Sequence, residues 1–252
     1  MSHVRTGVDG GVAKIALDKP PLNILTIAML TELAEAVRDA ADTEGVHALV
    51  LRGEGKGFSA GVDVREHLPE TIEPMLAAVR DALTAILDAP VPVVAGVHGP
   101  CLGGGMELAM AADLAYASDT ATFGQPEIQL GVFPPFAAAA YPAWFGRARA
   151  AEILLLGETI TAEEAYERGF LSGVVPAADL TAKVDGVAAK LAALSPSSLR
   201  LARAAIRMGN DLGLVSLEAI EAMYRRDLMA TEDAIEGLRA FLEKRPPTWR
   251  GR

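Results

Sequence analysis

Two periods of hydrophobic and polar residues run along the chain, and they divide it into strands and helices. Val12-Ala13-Lys14-Ile15-Ala16-Leu17 reads as a strand, ended by Asp18-Lys19-Pro20-Pro21. From Ile27 to Ala40, apolar residues recur at helical spacing with acids between them. Val46 to Leu51 predicts a second strand, stopped by Gly53-Glu54-Gly55-Lys56-Gly57. A second helix is expected from about Ile72 to Leu87. Val91 to Val97 is apolar on both faces, as a strand covered on both sides would be. Strand, helix, strand, helix in this order predicts α/β layering.

From Thr159 onward the pattern turns mainly helical. Thr161-Ala162-Glu163-Glu164 has the spacing of a capping box, with Thr161 as N-cap and Glu164 reaching back. Pro196-Ser197 separates two helices, and a long helical pattern from Leu214 to Glu243 is interrupted near Thr231. Arg245-Pro246-Pro247-Thr248-Trp249 ends it. A soft boundary is set near residue 195, giving a core of residues 1–195 and a helical C-terminal region of residues 196–252.

Composition narrows the class of partner. Of the 252 residues, 51% are hydrophobic and 22% charged, which predicts a sizeable core. The formal charge is -10 and no basic block stands out, which argues against nucleic acid. The single cysteine, Cys101, excludes an intrachain disulfide and fits a reducing compartment. Met1 to Ala16 has no secretory pattern, and the apolar run from Phe133 to Phe145, broken by prolines, falls short of a membrane span. The expectation is a soluble cytoplasmic protein.

Candidate chemistry sits in two segments. Leu102-Gly103-Gly104-Gly105-Met106-Glu107 opens a helix with bare N–H groups beside an acid, directly after the buried strand and His98-Gly99-Pro100. Phe123-Gly124-Gln125-Pro126-Glu127 puts another acid in an apolar, turn-rich stretch. A carboxylate among Met106, Leu108, Ala109 and Met110 is costly unless it is paired or used. Taken alone, the glycines are also compatible with a cramped turn, and each glutamate with a solvated or capping role. Together they suggest an oxyanion site served by two carboxyl groups, suited to adding or removing a proton beside an activated carbonyl. Phe58-Ser59-Ala60-Gly61-Val62-Asp63 offers a second backbone donor, or merely a cap at Asp63. His67 and His98 lack partners at ligand spacing, so no metal site is expected. No Gly-Lys-Ser/Thr follows the glycines, so they do not form a phosphate loop.

At these residues the chain resembles the crotonase, or enoyl-CoA hydratase/isomerase, superfamily. The likeness continues through Pro21-Leu22-Asn23, Leu130-Gly131, Gly157-Glu158-Thr159-Ile160, Gly169-Phe170-Leu171, Val174-Val175-Pro176 and Phe241 to Pro246. The resemblance implies a crotonase-like spiral of ββα units and a helical C-terminal region supporting a homotrimer or a dimer of trimers. It implies an acyl-CoA thioester whose oxygen is held by the N–H groups of Val62 and Gly104. Glu107 and Glu127 match the two hydratase acids, with Glu107 helping to activate water and Glu127 delivering a proton to the α-carbon. Ala60, Gly61, Asp63 and Gly103 fall on the substrate-binding stretches. No cofactor or metal is implied beyond the CoA of the substrate.

The chain departs from the usual hydratase pattern where Pro134-Pro135-Phe136-Ala137-Ala138 replaces a Pro-Gly-x-Gly-Gly turn. Phe136 is thereby a candidate for the acyl pocket or for the core. Pro20 to Leu25, Gly61-Val62-Asp63-Val64 and Val132-Phe133-Pro134-Pro135 resemble the cyclohexa-1,5-diene-1-carbonyl-CoA hydratase subgroup. Alternatives are an ordinary enoyl-CoA hydratase, an enoyl-CoA isomerase using one glutamate, and a non-catalytic acyl-CoA-binding relative. Lys56, Arg65 and Lys244 are candidates for the CoA phosphates by charge alone.

Overall fold

A computed structural model describes residues 2–209, 221–222 and 224–248. Six strands carry the fold: β1 (Val4–Asp9), β2 (Val12–Leu17), β3 (Ala48–Gly53), β4 (Val93–Val97), β6 (Leu114–Ser118) and β9 (Gly173–Val175). They form one sheet in the order β1-β2-β3-β4-β6-β9. Only the β1–β2 pair is antiparallel. β1 was not foreseen, because five of its six residues face solvent and no alternation marks them. The strand expected from Val46 starts at Ala48, since Val46 and His47 close the preceding turn through Val46 N–H to Thr43 O (3.1 Å) and His47 N–H to Gly11 O (2.8 Å).

The parallel strands need crossovers. Helix α1 (Ile27–Asp42) links β2 to β3, and α2 (Ile72–Asp88) links β3 to β4. Their apolar stripes, Met29, Leu30, Leu33 and Val37 on α1 and Leu83 and Ile86 on α2, are buried on one face of the sheet. Each buried leucine is worth roughly 1.5–3 kcal/mol relative to exposure. The other face packs on α7 (Leu180–Ala192), where Val50, Val94, Leu180 and Val184 share a second core. A Cβ on Gly96 would lie 3.0 Å from Val184 Cγ2, so glycine lets α7 pack close to the sheet. With cover on both sides, β4 is wholly buried, as its unbroken apolar run predicts.

Three of the main-sheet strands are each followed by a short stretch in a second layer, and this makes the spiral. β4 leads to β5 (Pro100–Leu102) and then to α3 (Gly104–Ala111). β6 leads to β7 (Thr122–Gly124) and then to a 3₁₀ turn, Pro126–Leu130. β3 leads to Ser59, which bridges Cys101 in parallel, and then to a 3₁₀ turn, Val64–His67, before α2. β8 (Thr159–Thr161) completes the second sheet, β5-β7-β8. Between β7 and β8 lie α4 (Pro135–Phe145) and α5 (Arg147–Leu156). The α/β spiral expected from the resemblance is the observed architecture.

Beyond β8, the Thr161 capping box is complete, with Thr161 Oγ1 accepting from Glu164 N–H and the Glu164 carboxylate accepting from Thr161 N–H at the start of α6 (Ala162–Glu167). Pro196 begins α8 (Pro196–Gly209), after α7 has ended at Ala192. Arg203 anchors α8 at the carboxyl end of α2, donating to Ile86 O and Leu87 O (both 2.9 Å) and to Ala89 O, and pairing with Asp113. Of the long helical pattern from Leu214, residues 214–220 and 223 lie outside the described residues. After them come a π-helical turn, Tyr224–Leu228, and α9 (Glu232–Leu242). The break near Thr231 is a helix start, capped by Thr231 Oγ1 accepting from Ala234 N–H (3.1 Å). Among the described residues, no helix is long and apolar enough to cross a membrane.

Candidate active site

The site grows from equivalent points in successive turns of the spiral. In the first, Asn23 sets the geometry. It is fully buried, with φ of 50°, a region asparagine tolerates better than most residues. Its side-chain amide donates to Glu54 O (2.8 Å), Gly57 O (2.9 Å) and Phe58 O (3.1 Å) and so holds the turn after β3. Ser59 Oγ donates to Asn23 O (2.8 Å) and accepts from Gly61 N–H (3.1 Å). Ala60 N–H donates to Leu22 O (2.9 Å). Leu25 N–H then donates to Gly61 O, and Asp63 N–H to Leu25 O. The intervening Val62 N–H is turned to the opposite side, as alternation along an extended chain requires.

The second turn brings Gly104 against Val62. A Cβ on Gly104 would lie 2.7 Å from Val62 Cγ2 and 3.8 Å from Val62 N. The two segments therefore pack against one another, and the Gly104 N–H is among those at the start of α3 that its own helix leaves unused. Gly103 precedes them with φ 53° and ψ −130°, a conformation that excludes side chains. A Cβ there would also collide with Glu127 Oε1, so Gly103 brings the third turn of the spiral onto the second.

Glu107 lies one turn into α3 and is only 3% exposed. Its Oε1 accepts from Ala137 N–H (2.8 Å). Burial pushes its carboxyl up to about 7, against the N–H groups of Ala137 and Phe136, which favour the anion; the charge of Glu221 adds to the rise. These donors belong to the first turn of α4, where Pro135 has no N–H to lose. Glu127, in the Pro126–Leu130 turn, is only half-buried as a residue, yet its Oε2 is enclosed and has no hydrogen bond among the described residues. Burial and then the charge of Glu107 push its carboxyl up to about 8. Two raised carboxyl groups that feel one another's charge are a candidate acid–base pair.

The remaining candidates make other contacts. The Asp63 side chain caps the Val64–His67 turn by accepting from Arg65 N–H (3.0 Å). The Phe136 ring is in the main core, edge-on to Trp144 at 5.6 Å, and its N–H meets Glu107. Gly61 takes φ of 100° and passes close to Leu102 O. His98 contacts Gly55 O, and His67 contacts Asp63 O. Cys101 is buried, and burial raises its thiol well above the ordinary value. A separate cavity of about 640 Å³ on the α7 side of the sheet is lined by Arg52, Lys56, His98, Thr181 and Asp185 and includes neither glutamate. Arg65 and Lys244 lie on the exposed surface.

Sequence reasoning missed Tyr224. It is buried, stacks edge-on against Phe133 at 5.2 Å, and feels the charges of Glu127 and Glu107. It falls inside a long helical pattern that made it look like any core aromatic.

Comparison with known proteins bears on the family and the class of reaction. The model of the enoyl-CoA hydratase/isomerase family matches residues 7–252. The chain is 38% identical over 245 residues to a cyclohexa-1,5-dienecarbonyl-CoA hydratase of Thauera aromatica, covering 97% of this chain and 95% of that one. It is 36% identical over 256 residues, the whole of both chains, to a 2,3-dehydroadipyl-CoA hydratase of Escherichia coli. A crystal structure of an enoyl-CoA hydratase/isomerase from Xanthobacter autotrophicus superposes with a TM-score of 0.87 at 30% identity, covering 96% of this chain and 97% of the other. The chain therefore belongs to the enoyl-CoA hydratase/isomerase family, as a hydratase-type enzyme.

Proposed function

We propose that this protein adds water across the C=C bond of an enoyl-CoA or cyclic dienoyl-CoA thioester, with Glu107 and Glu127 as its acid–base pair. The observation that carries the reading is the contrast between the two carboxyls. Glu107 receives N–H donors from the start of α4, which favour its anion. The Glu127 carboxyl is buried, has no donor at Oε2 among the described residues and faces the charge of Glu107, which together favour its acid form. The contrast favours the anion at Glu107 and the acid form at Glu127, and the two titrate as a pair.

The N–H groups of Val62 and Gly104 would hold the thioester oxygen as charge builds on it. A single donor of this kind is worth about 2.7–4 kcal/mol when removed from another enzyme. Glu107 takes a proton from water as its oxygen bonds the β-carbon, and Glu127 gives its proton to the α-carbon. The sum is one water added and the pair still singly protonated, ready for proton exchange. No cofactor enters beyond the CoA carried by the substrate. The name of the Thauera relative and the Pro134 to Ala138 departure favour a cyclic dienoyl thioester.

The reading includes action in the cytoplasm, which the single buried cysteine fits, and assembly as a trimer or a dimer of trimers. Leu155, Leu156, Leu201 and Ile206 are each more than half exposed and offer apolar surface for such contacts. Light scattering of the purified protein is expected to give three or six chains.

The test is hydration of crotonyl-CoA and cyclohexa-1,5-diene-1-carbonyl-CoA at equal enzyme concentration, followed by the mass gain of one water. The expected result is preference for the cyclic diene, with Glu107→Gln and Glu127→Gln each reducing kcat by at least about 100-fold while the fold is retained. Normal turnover by both variants would sink the two-acid mechanism.

A further inference from the structure

Tyr224 is placed by a device outside the spiral. The π-helical turn Tyr224–Leu228 is closed by Met229 N–H donating to Tyr224 O (2.9 Å), a rare spacing that is frequent at functional sites. Ion pairs tie this turn and its approach to α2: Glu221 pairs with Arg80, and Arg225 reaches Glu73 and Glu221 (both 3.3 Å). The result is a phenol only 1% exposed, in one apolar cluster with Val132, Met75, Val62 and Phe133. Two of these belong to the site's frame. Val62 carries an amide of the proposed oxyanion site, and Val132 N–H donates to Glu127 O (3.2 Å).

We propose that Tyr224 is a specificity-determining residue, its ring forming with Phe133 an aromatic wall against which the acyl group lies. This rests on the hydratase reading for the identity of the reaction. Two edge-on rings offer more apolar contact to a ring-shaped acyl group than to a short chain. The charges of both glutamates reach the phenol and, after burial, hold it above its ordinary value. The shared cluster with Val62 and Val132 sets the ring beside the proposed oxyanion segment and the Glu127 turn.

The experiment compares kcat/KM for the cyclic diene and crotonyl-CoA in wild type, Tyr224→Ala, Tyr224→Leu and Tyr224→Phe. Calorimetry on the same four proteins compares the affinities of butanoyl-CoA and free CoA. Removing the ring is expected to shift the ratio of the two kcat/KM values by about tenfold or more, with Tyr224→Phe restoring it. The butanoyl preference over free CoA should fall in the same variants. If Tyr224→Ala does not fold, Tyr224→Leu reads the same ratio. A wild-type ratio and a wild-type butanoyl preference in the ring-less variants would overturn the proposal. If the wild-type protein hydrates neither thioester, the hydratase reading fails, and the calorimetry still decides whether Tyr224 contacts the acyl group.

Discussion

Gly103 shows how much of the site hangs on one missing side chain. Its backbone takes a conformation closed to L side chains, and its absent Cβ is the ground on which Glu127 Oε1 rests. Gly103→Ala is expected to push Glu127 away from Glu107 and reduce kcat by at least about 100-fold, measured as hydration at saturating thioester. The two carboxyls also fix a pH dependence. Activity needs Glu107 ionised and Glu127 protonated, with the groups near 7 and near 8. A plot of kcat/KM against pH is expected to be a narrow bell with limbs at those two macroscopic values. A flat profile across neutrality would contradict the assignment. The acids themselves were legible as residues, because a carboxylate in an apolar helix is conspicuous. Their convergence was not, because nothing in the local sequence states that a turn after β7 packs on a turn after β5. Phe136 shows the limit of a single-residue reading: the chain contributes its N–H to the site and hides its ring.

Elements were legible in proportion to their length. α1 and α2 each carry several turns of apolar periodicity, and their limits agree with the expectation to within two residues. β5, β7 and β8 have three residues each, too few to display an alternation, and they went unseen. Yet these are the elements that deliver Gly103 and Glu127. Where an element is long, its interior is open to simple tests. Gly186 lies within α7 and is exposed, and a methyl group added there would meet nothing within 4 Å. Gly186→Ala is expected to stabilise the protein by about 0.5–1 kcal/mol, read from denaturant unfolding, with activity unchanged.

For the molecule as a whole, the raised glutamates cost stability in alkali. Each holds its proton in the folded chain at pH values where the unfolded chain, with a carboxyl near 4.5, has released it. The unfolded state then binds fewer protons, so stability falls as pH rises. The contribution is complete below about 4.5 and is lost as pH climbs through about 7 and 8. The carboxylates of Glu32, Glu164 and Asp227 are lowered instead, by hydrogen bonds, and act in acid, outside that window. A Glu107→Gln/Glu127→Gln double variant should therefore lose less Tm than wild type between about pH 6 and about pH 9. Equal losses would mean the carboxyls are not raised.

The Asn23 latch has a further consequence, in time rather than space. It joins the first loop to the turn after β3, α3 and Glu127 follow in the middle of the chain, and Tyr224 arrives near its end. A ribosome releases these parts in that order. A nascent chain that has just emerged past α5 carries both acids but not Tyr224, with the apolar surface that Tyr224 and α9 cover still open to water. Such an intermediate exposes its sticky face until the last segment docks, so the burden on chaperones should be greatest late in synthesis.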